Sequence, residues 1–225
     1  MNMKVELWFD FLCPFSYVAK TYLDKAINEF HKKEDIDVAY HSFCVAPYVK
    51  ETLDVDSHEF LSFHKDITYA QAKELHEHLE SKFSDVVFNF DHIKITSSNK
   101  AHQILHMIDE SLRSEFINLV FEALYVDLKD ISKEETLIEI GAKLGIKEED
   151  IKAVFLTNMY NQGIEDDYDL LVDLDLKGVP TIVIDRMYFL SGAQSRDAYQ
   201  EMLKTLYDPK KQALTEVCED CEYNY

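Results

Sequence analysis

The order of apolar and polar residues gives the first part of the chain a strand, helix and strand pattern. Residues 4–12, KVELWFDFL, alternate and are rich in aromatic side chains, which predicts a β-strand. Residues 15–33 carry apolar side chains at helical spacing, and residues 36–45, IDVAYHSFCV, predict a second strand. Two strands joined by a long helix favour parallel pairing through a right-handed crossover.

The pattern from about Ser57 to about Asp175 is almost wholly helical, and it contains several amphipathic segments. One of these, SKEETLIEIGAKLG, begins with Ser132 and Glu135 at the spacing of a capping box. We therefore predict a helical block that is long enough to be a subdomain of its own.

The pattern changes again near the end of the chain. GVPTIVID and MYFLSGA predict two short strands joined by a tight hairpin at Asp185 and Arg186. SRDAYQEMLKTLY predicts a last helix with Ser195 as its N-cap.

These segments predict an α/β fold with one four-stranded mixed sheet and a large inserted all-helical subdomain. We expect residues 1–50 and 176–208 to combine into the sheet-containing domain, with helices on the faces of its sheet. Residues 51–175 would form the inserted subdomain, and residues 209–225 a C-terminal tail.

Charge and composition exclude some classes of function. The 225 residues carry a net charge of −20, whereas nucleic-acid binders need a basic surface for phosphates. No segment has the length and apolar continuity of a membrane span, and the opening MNMKVELWFDF lacks the pattern of a secretory signal. We therefore expect a cytoplasmic protein, in a compartment where thiols stay reduced. We expect the protein to be a monomer or a homodimer.

The first cysteine lies where the first strand passes into the helix. Pro14 suits the first helical position, which places Cys13 at the N-cap, on the positive end of the helix dipole. Unpaired N–H groups and the dipole both favour a thiolate, so we expect the pKa of Cys13 to lie below the ordinary ~8.5. Ser16 can offer its hydroxyl to that thiolate.

Four stretches, FDFLCPFSYVAK, AHQILH, KGVPTIVID and YFLSGAQS, occur in an order that resembles the thioredoxin superfamily. More narrowly, residues 4 to about 207 resemble the DsbA family and its FrnE-like branch. That branch is similar to 2-hydroxychromene-2-carboxylate isomerases and kappa-class glutathione transferases. The resemblance implies a thiol–disulfide oxidoreductase with Cys13 as nucleophile, and a cis peptide bond between Val179 and Pro180.

The resemblance also implies which residues surround the substrate. It points to the residues after Cys13, to the proline loop before the third strand and to the helix of AHQILH, with these candidate contacts: Pro14, Phe15, Val179, Pro180, Thr181 and His102. The expected partner is a thiol or disulfide substrate, either a protein or a small molecule. We expect no tightly bound cofactor, although glutathione or another small thiol could take part.

Serine at position 16 departs from the family pattern, which has a second cysteine there. Ser16 cannot accept a sulfur, so three ways of releasing a mixed disulfide stay open. An outside thiol such as glutathione could resolve it. Cys44, at the end of the second strand, could do so if its Cα lay within ~7 Å of that of Cys13. The tail pair Cys218 and Cys221 could also supply the resolving sulfur or form a redox couple of its own.

Two other functions fit the same residues. The first is a glutathione-dependent isomerase or transferase, in which the site binds a thiol without changing its redox state. The second is a module without enzyme activity that uses its groove to bind a partner.

His102 and His106 share one helix face, but two histidines alone do not make a metal site, and we predict none.

Overall fold

A computed structural model of the chain describes residues 2–207. Nine α-helices, one short 3-10 helix (Lys33–Asp35) and four strands are found within this range. The strands are β1 (Met3–Phe9), β2 (Ile36–Ser42), β3 (Thr181–Ile184) and β4 (Tyr188–Ser191). The helices are α1 (Pro14–Glu29), α2 (Ser57–Lys65), α3 (Tyr69–Lys82), α4 (Asn99–Met107), α5 (Glu110–Tyr125), α6 (Glu134–Lys143), α7 (Glu148–Thr157), α8 (Asn161–Asp173) and α9 (Arg196–Tyr207).

The four strands form one mixed sheet in the order β2-β1-β3-β4. β1 pairs with β2 in parallel, as the crossover through α1 predicted, and β3 runs antiparallel to β1 and β4. The predicted fold class, a thioredoxin-like mixed sheet with inserted helices, is therefore confirmed.

The described chain divides into two compact units. Residues up to Phe43 and from Asp166 onward form the unit that contains the sheet, and Cys44–Glu165 form a helical unit. The sequence placed these divisions at residues 50 and 175. The predicted tail, residues 209–225, lies outside the described residues.

The core of the sheet unit lies around its central strand. Leu7, Trp8 and Phe9 of β1 are all fully buried, so both faces of this strand are covered. Trp8 stacks on His41 of β2, and its indole N–H donates to the backbone oxygen of Asp167 in α8, 3.2 Å away. These contacts fix β1, the strand that leads into Cys13.

The hairpin between β3 and β4 forms where the sequence predicted it. Asp185 and Arg186 both have positive φ angles, 50° and 57°, and Met187 N–H donates to the Ile184 carbonyl at 3.0 Å. Positive φ at both central positions is the requirement of a type I′ turn. The turn directs Arg186 back to the buried carboxylate of Glu6 in β1, where Nη2 lies 2.7 Å from Oε1.

Two helix starts differ in how well the sequence predicted them. Ser195 caps α9 as expected, because its hydroxyl accepts the backbone N–H of Ala198 at 3.2 Å. The capping box predicted at Ser132 is wrong: Lys133 is the N-cap of α6, and the Ser132 hydroxyl bonds to the carboxylate of Asp130 instead. A nearby aspartate acceptor competed successfully for that hydroxyl.

A capping box does occur at the start of α3. Gln71 N–H donates to the Thr68 hydroxyl at 3.2 Å, and the Gln71 side chain accepts the N–H of Thr68 at 2.9 Å.

Among residues 2–207, no helix combines the length and apolar character needed to cross a bilayer.

Candidate active site

Cys13 occupies the N-cap of α1, as the sequence predicted. Its backbone is extended, with φ −90° and ψ 110°, and its carbonyl accepts the N–H groups of Ser16 at 2.9 Å and Tyr17 at 3.3 Å. Pro14 takes the first helical position, where a missing N–H costs nothing. The strand-to-helix turn thus fixes the cysteine at the helix N-terminus.

The loop before β3 lies directly against Cys13. β3 runs antiparallel to β1 and its first residue, Thr181, pairs with Trp8, so the loop adjoins the end of β1 that leads to the cysteine. The Cys13 thiol donates to the carbonyl oxygen of Val179, 3.7 Å from the sulfur. The Val179–Pro180 peptide bond is cis. The thiol and the proline loop therefore belong to one site.

The loop is held by its own hydrogen bonds. Thr181 is buried, and its hydroxyl donates to the carbonyl of Gly178 at 2.7 Å. Gly192 N–H, just after β4, donates to the carbonyl of Pro180 at 2.9 Å. These bonds leave the Val179 carbonyl directed at the sulfur.

The prediction of a lowered pKa for Cys13 is wrong. The residue is only 1% exposed, and this burial raises the pKa of its thiol to about 11. Hydrogen bonds from the Ser16 side chain and from the backbone N–H groups of Ser16 and Phe15 lower it, while the charge of Asp10 raises it further. Loss of solvation outweighs these hydrogen bonds at the helix N-terminus, because burial disfavours the charged form of the sulfur.

Ser16 is fully buried one helical turn after Cys13. Its hydroxyl accepts the backbone N–H of Asp10 at 3.4 Å. Hydrogen bonding from the Ser16 side chain also lowers the pKa of the Cys13 thiol, in the direction expected from the sequence. It stabilises any thiolate that forms there, since a hydroxyl donor favours the charged sulfur.

The other residues expected at the substrate differ in exposure. Pro14, Val179 and Pro180 are buried with the sulfur, whereas Phe15 is half-exposed beside it. Leu12 and Tyr17 are half-exposed as well and belong to the same segment. Their role in substrate binding stays a prediction.

Two candidate residues belong to the helical unit. Cys44 begins the helical unit, half-buried, with the Ser98 hydroxyl 4.0 Å from its sulfur, and His102 is fully buried in α4 of the same unit. Neither Cys13 nor Cys44 is disulfide-bonded to another described residue. A resolving role for Cys44 and a substrate contact by His102 stay predictions.

Cys218 and Cys221 lie outside the described residues. Within residues 2–207, no group of three or more His, Cys, Asp or Glu side chains is placed to hold a metal ion.

Asp10 belongs to the site although no sequence pattern singled it out. This residue directly follows β1 and is fully buried. Its carboxylate accepts the N–H of Leu12 at 3.3 Å, and its carbonyl accepts the N–H of Cys13 at 3.1 Å. The available signal was an aspartate at the end of an apolar strand, three positions before the cysteine.

A cysteine at the N-cap of the helix after β1, facing a cis-proline loop in a four-stranded mixed sheet, defines a thioredoxin-like protein. The chain belongs to the DSBA-like thioredoxin domain family, an oxidoreductase family, whose model matches residues 4–204.

Solved structures share this fold. A probable DsbA oxidoreductase from Streptomyces coelicolor superimposes with a TM-score of 0.83 at 23% identity, covering 96% of this chain and 94% of that one. The cytosolic disulfide reductase DsbM from Pseudomonas aeruginosa gives 0.62 at 17% identity, over 91% and 98% of the two chains. A 2-hydroxychromene-2-carboxylate isomerase gives 0.64 at 16% identity, over 91% and 94%.

Proposed function

We propose that the protein is a monothiol thiol–disulfide oxidoreductase that uses Cys13 as its nucleophile. The observation that carries the proposal is the position of this sulfur, between the Ser16 hydroxyl and the Val179 carbonyl at the N-terminus of α1. The hydroxyl can donate a hydrogen bond that stabilises the thiolate. The carbonyl accepts a hydrogen bond from the protonated thiol and so stabilises the resting form.

The reaction begins when Cys13 loses its proton. The thiolate attacks one sulfur of a disulfide R–S–S–R′, so a Cys13–S–S–R bond forms and R′–S⁻ leaves. A second thiolate R″–S⁻ from an outside molecule, glutathione or another small thiol, then attacks the sulfur attached to R, so an R–S–S–R″ disulfide forms and the Cys13 thiolate leaves. Ser16 cannot perform this second step, and in the proposed cycle an external thiol performs it.

Substrate binding supplies the activation that the resting site lacks. An extended substrate whose backbone N–H bonds to the Val179 carbonyl competes with the Cys13 thiol for that oxygen. Removing an acceptor from the neutral thiol lowers its pKa, since that hydrogen bond favoured the protonated form. The half-exposed Phe15 offers an apolar surface beside the sulfur for the same substrate.

A direct test is incubation of the full-length protein with oxidised glutathione at pH 8, followed by peptide mass spectrometry. We expect a glutathione adduct on Cys13 that reduced glutathione removes, and no adduct at this position in Cys13→Ser. Cys44→Ser serves as the matched control and should keep the Cys13 adduct. Adducts on Cys44, Cys218 or Cys221 with none on Cys13 would refute the proposal.

Burial of the Cys13 thiol favours a second candidate, a glutathione-dependent isomerase or transferase without redox turnover. A thiol with its pKa raised to about 11 stays protonated at neutral pH, as a binding rather than a redox group. The two candidates separate in calorimetry with S-methylglutathione, which cannot exchange sulfur. Binding of this compound together with no Cys13 adduct from oxidised glutathione supports the isomerase or transferase.

A further inference from the structure

A cavity of about 250 Å³ lies in the helical unit, bounded by one face of α3, by His58 of α2 and by residues 88–92. The His76 ring in its wall is 4% exposed and stacks on Phe90, with the two ring centres 3.9 Å apart. His58 is buried beside it, and its Nδ1 lies 2.8 Å from Nδ1 of His76. The cavity shares no residue with the Cys13 site.

Hydrogen bonds around the two histidine rings assign their protons. Nε2 of His58 lies 3.1 Å from the Asp91 carboxylate, which can only accept, so this nitrogen carries a proton. The pKa of Asp91 is lowered, above all by this hydrogen bond, so the acceptor stays a carboxylate. When His58 is uncharged, its Nδ1 is an acceptor, and the facing Nδ1 of His76 is the donor. Nε2 of His76 then carries a lone pair and no proton.

The lone pair on Nε2 of His76 has no donor in the described part of the chain. His76 forms its hydrogen bond to His58 through Nδ1, and Nε2 forms none with residues 2–207. Burial and the neighbouring His58 lower the pKa of His76 to about 3, so the ring stays neutral at pH 8. A buried acceptor without a donor costs free energy. Its position in the cavity wall indicates a ligand that donates a hydrogen bond to it.

The charges at the cavity are mainly negative. Lys73, Glu77 and Glu80 line it from α3, and helical spacing places Glu80 one turn after His76. Lys73 is paired with Asp91, with Nζ 3.3 Å from Oδ1. Glu77 and Glu80 form no ion pair with any residue of the described range. Burial raises the pKa of Glu80, and the charge of Asp91 raises it further, so a cation beside this carboxylate would stabilise its charged form.

We propose that this cavity binds a small organic cation, a protonated primary amine with a short apolar body, whose ammonium group donates to Nε2 of His76 and pairs with the carboxylate of Glu80. The buried Phe90 supplies the apolar contact. A neutral ligand would leave the carboxylate without a partner, and an anion would be repelled by it. The cavity is smaller than the ~300–1,000 Å³ of pockets for drug-sized ligands, so the amine must be small.

Calorimetric titration of the full-length protein with benzylamine at pH 8, in a buffer free of other amines, tests the site. Benzyl alcohol offers the same apolar body with a neutral donor, and benzoate carries the opposite charge. We expect saturable binding of benzylamine, binding of benzyl alcohol that is at least about tenfold weaker, and no binding of benzoate. Equal binding of the amine and the alcohol, or no binding of the amine, overturns the proposal.

Two further measurements assign the binding to this cavity. Glu80→Gln keeps the shape of the side chain and removes its charge, so we expect benzylamine to bind about tenfold more weakly. Glu74→Gln removes an exposed carboxylate of α3 outside the cavity, and this matched control should bind benzylamine as the unaltered protein does. Long-range ¹H–¹⁵N NMR spectra should show the Nε2 signal of His76 shifting as benzylamine is added. An unchanged affinity in Glu80→Gln, or an Nε2 signal that does not move, overturns the proposal.

Discussion

The Cys13 thiol donates a hydrogen bond to the Val179 carbonyl, with sulfur and oxygen 3.7 Å apart and 166 positions between the two residues in sequence. This contact joins the start of α1 to the loop before β3. Because a carbonyl can only accept, it stabilises the protonated sulfur and not the thiolate. The described structure is therefore that of a resting site, with its nucleophile covered and uncharged.

The raised pKa of Cys13 makes the stability of the fold depend on alkaline pH. A thiol whose pKa is about 11 in the folded protein and 9.0 in the unfolded chain stabilises the fold fully below pH 9. This contribution is lost as the pH rises through 9 towards 11, because the unfolded chain ionises first. Between pH 8 and pH 10 we expect a loss of about 1 kcal/mol from this group.

Urea unfolding of the unaltered protein and Cys13→Ala at pH 8 and pH 10 measures this loss. The unaltered protein should lose about 1 kcal/mol more than the variant between the two pH values. Equal losses in both proteins would show that Cys13 ionises normally in the folded state.

Removing the Ser16 hydroxyl should make Cys13 less reactive. Its hydrogen bond lowers the pKa of the thiol, so Ser16→Ala raises that pKa further. A hydrogen bond to a charged group contributes about 1.5 kcal/mol, which corresponds to a rate of iodoacetamide alkylation about tenfold lower at pH 8. Thr21→Ala, a half-exposed change on the same helix, should leave this rate unaltered. An unchanged rate in Ser16→Ala would mean that the hydroxyl does not act on the sulfur.

The helical unit should lose stability in acid through His76. This ring lies 3.9 Å from Phe90 in a parallel stack, and its Nδ1 is 2.8 Å from Nδ1 of His58. Burial and the neighbouring His58 lower the pKa of His76 to about 3. A base whose folded pKa is lowered stabilises the fold above its unfolded value of 6.5, and this contribution is lost as the pH falls from 6.5 towards 3.

Comparison of unfolding free energies at pH 7 and pH 5 tests this expectation. We expect the unaltered protein to lose about 1–2 kcal/mol more over this interval than His76→Gln, which cannot take up the proton. His78→Gln removes an exposed histidine two positions along the same helix and should behave like the unaltered protein. If all three proteins lose stability equally, the buried ring does not couple folding to pH.

The ion pair between Glu6 and Arg186 should stabilise the sheet unit. Burial alone would raise the pKa of the Glu6 carboxyl, but hydrogen bonds and charges from Arg186 and Lys4 offset this and lower it. Arg186→Asn removes the principal partner, while asparagine tolerates the positive φ of the turn. We expect a loss of about 1–3 kcal/mol in urea unfolding, since a buried carboxylate loses a partner.

Arg196 provides a matched comparison for that change. It pairs with Glu29 at 3.3 Å, and both side chains are nearly half exposed. Arg196→Gln should cost less than about 1 kcal/mol, as exposed pairs contribute little. Equal losses of unfolding free energy in the two variants would mean that burial of Glu6 does not increase the contribution of the ion pair to stability.

Local patterns predicted the parts of the fold that local chemistry decides. The alternation before Cys13, the proline at position 14 and the hairpin at Asp185 and Arg186 each depend on neighbouring residues, and each prediction was confirmed. The pKa of Cys13 depends on how completely a loop from the far end of the chain covers the sulfur. No spacing near Cys13 encodes that coverage, so a low pKa expected from the helix N-terminus alone was wrong.

The long sequence separation between Cys13 and Val179 matters while the protein is being synthesised. A ribosome translates Cys13 166 positions before Val179, so the cysteine is made long before the segment that covers it. During that interval β1 lacks its β3 neighbour, and the sulfur is open to oxidants and to other nascent chains. Arrival of the C-terminal strands completes the sheet and shields the thiol in the same event, so premature termination would leave a fragment with a permanently uncovered cysteine.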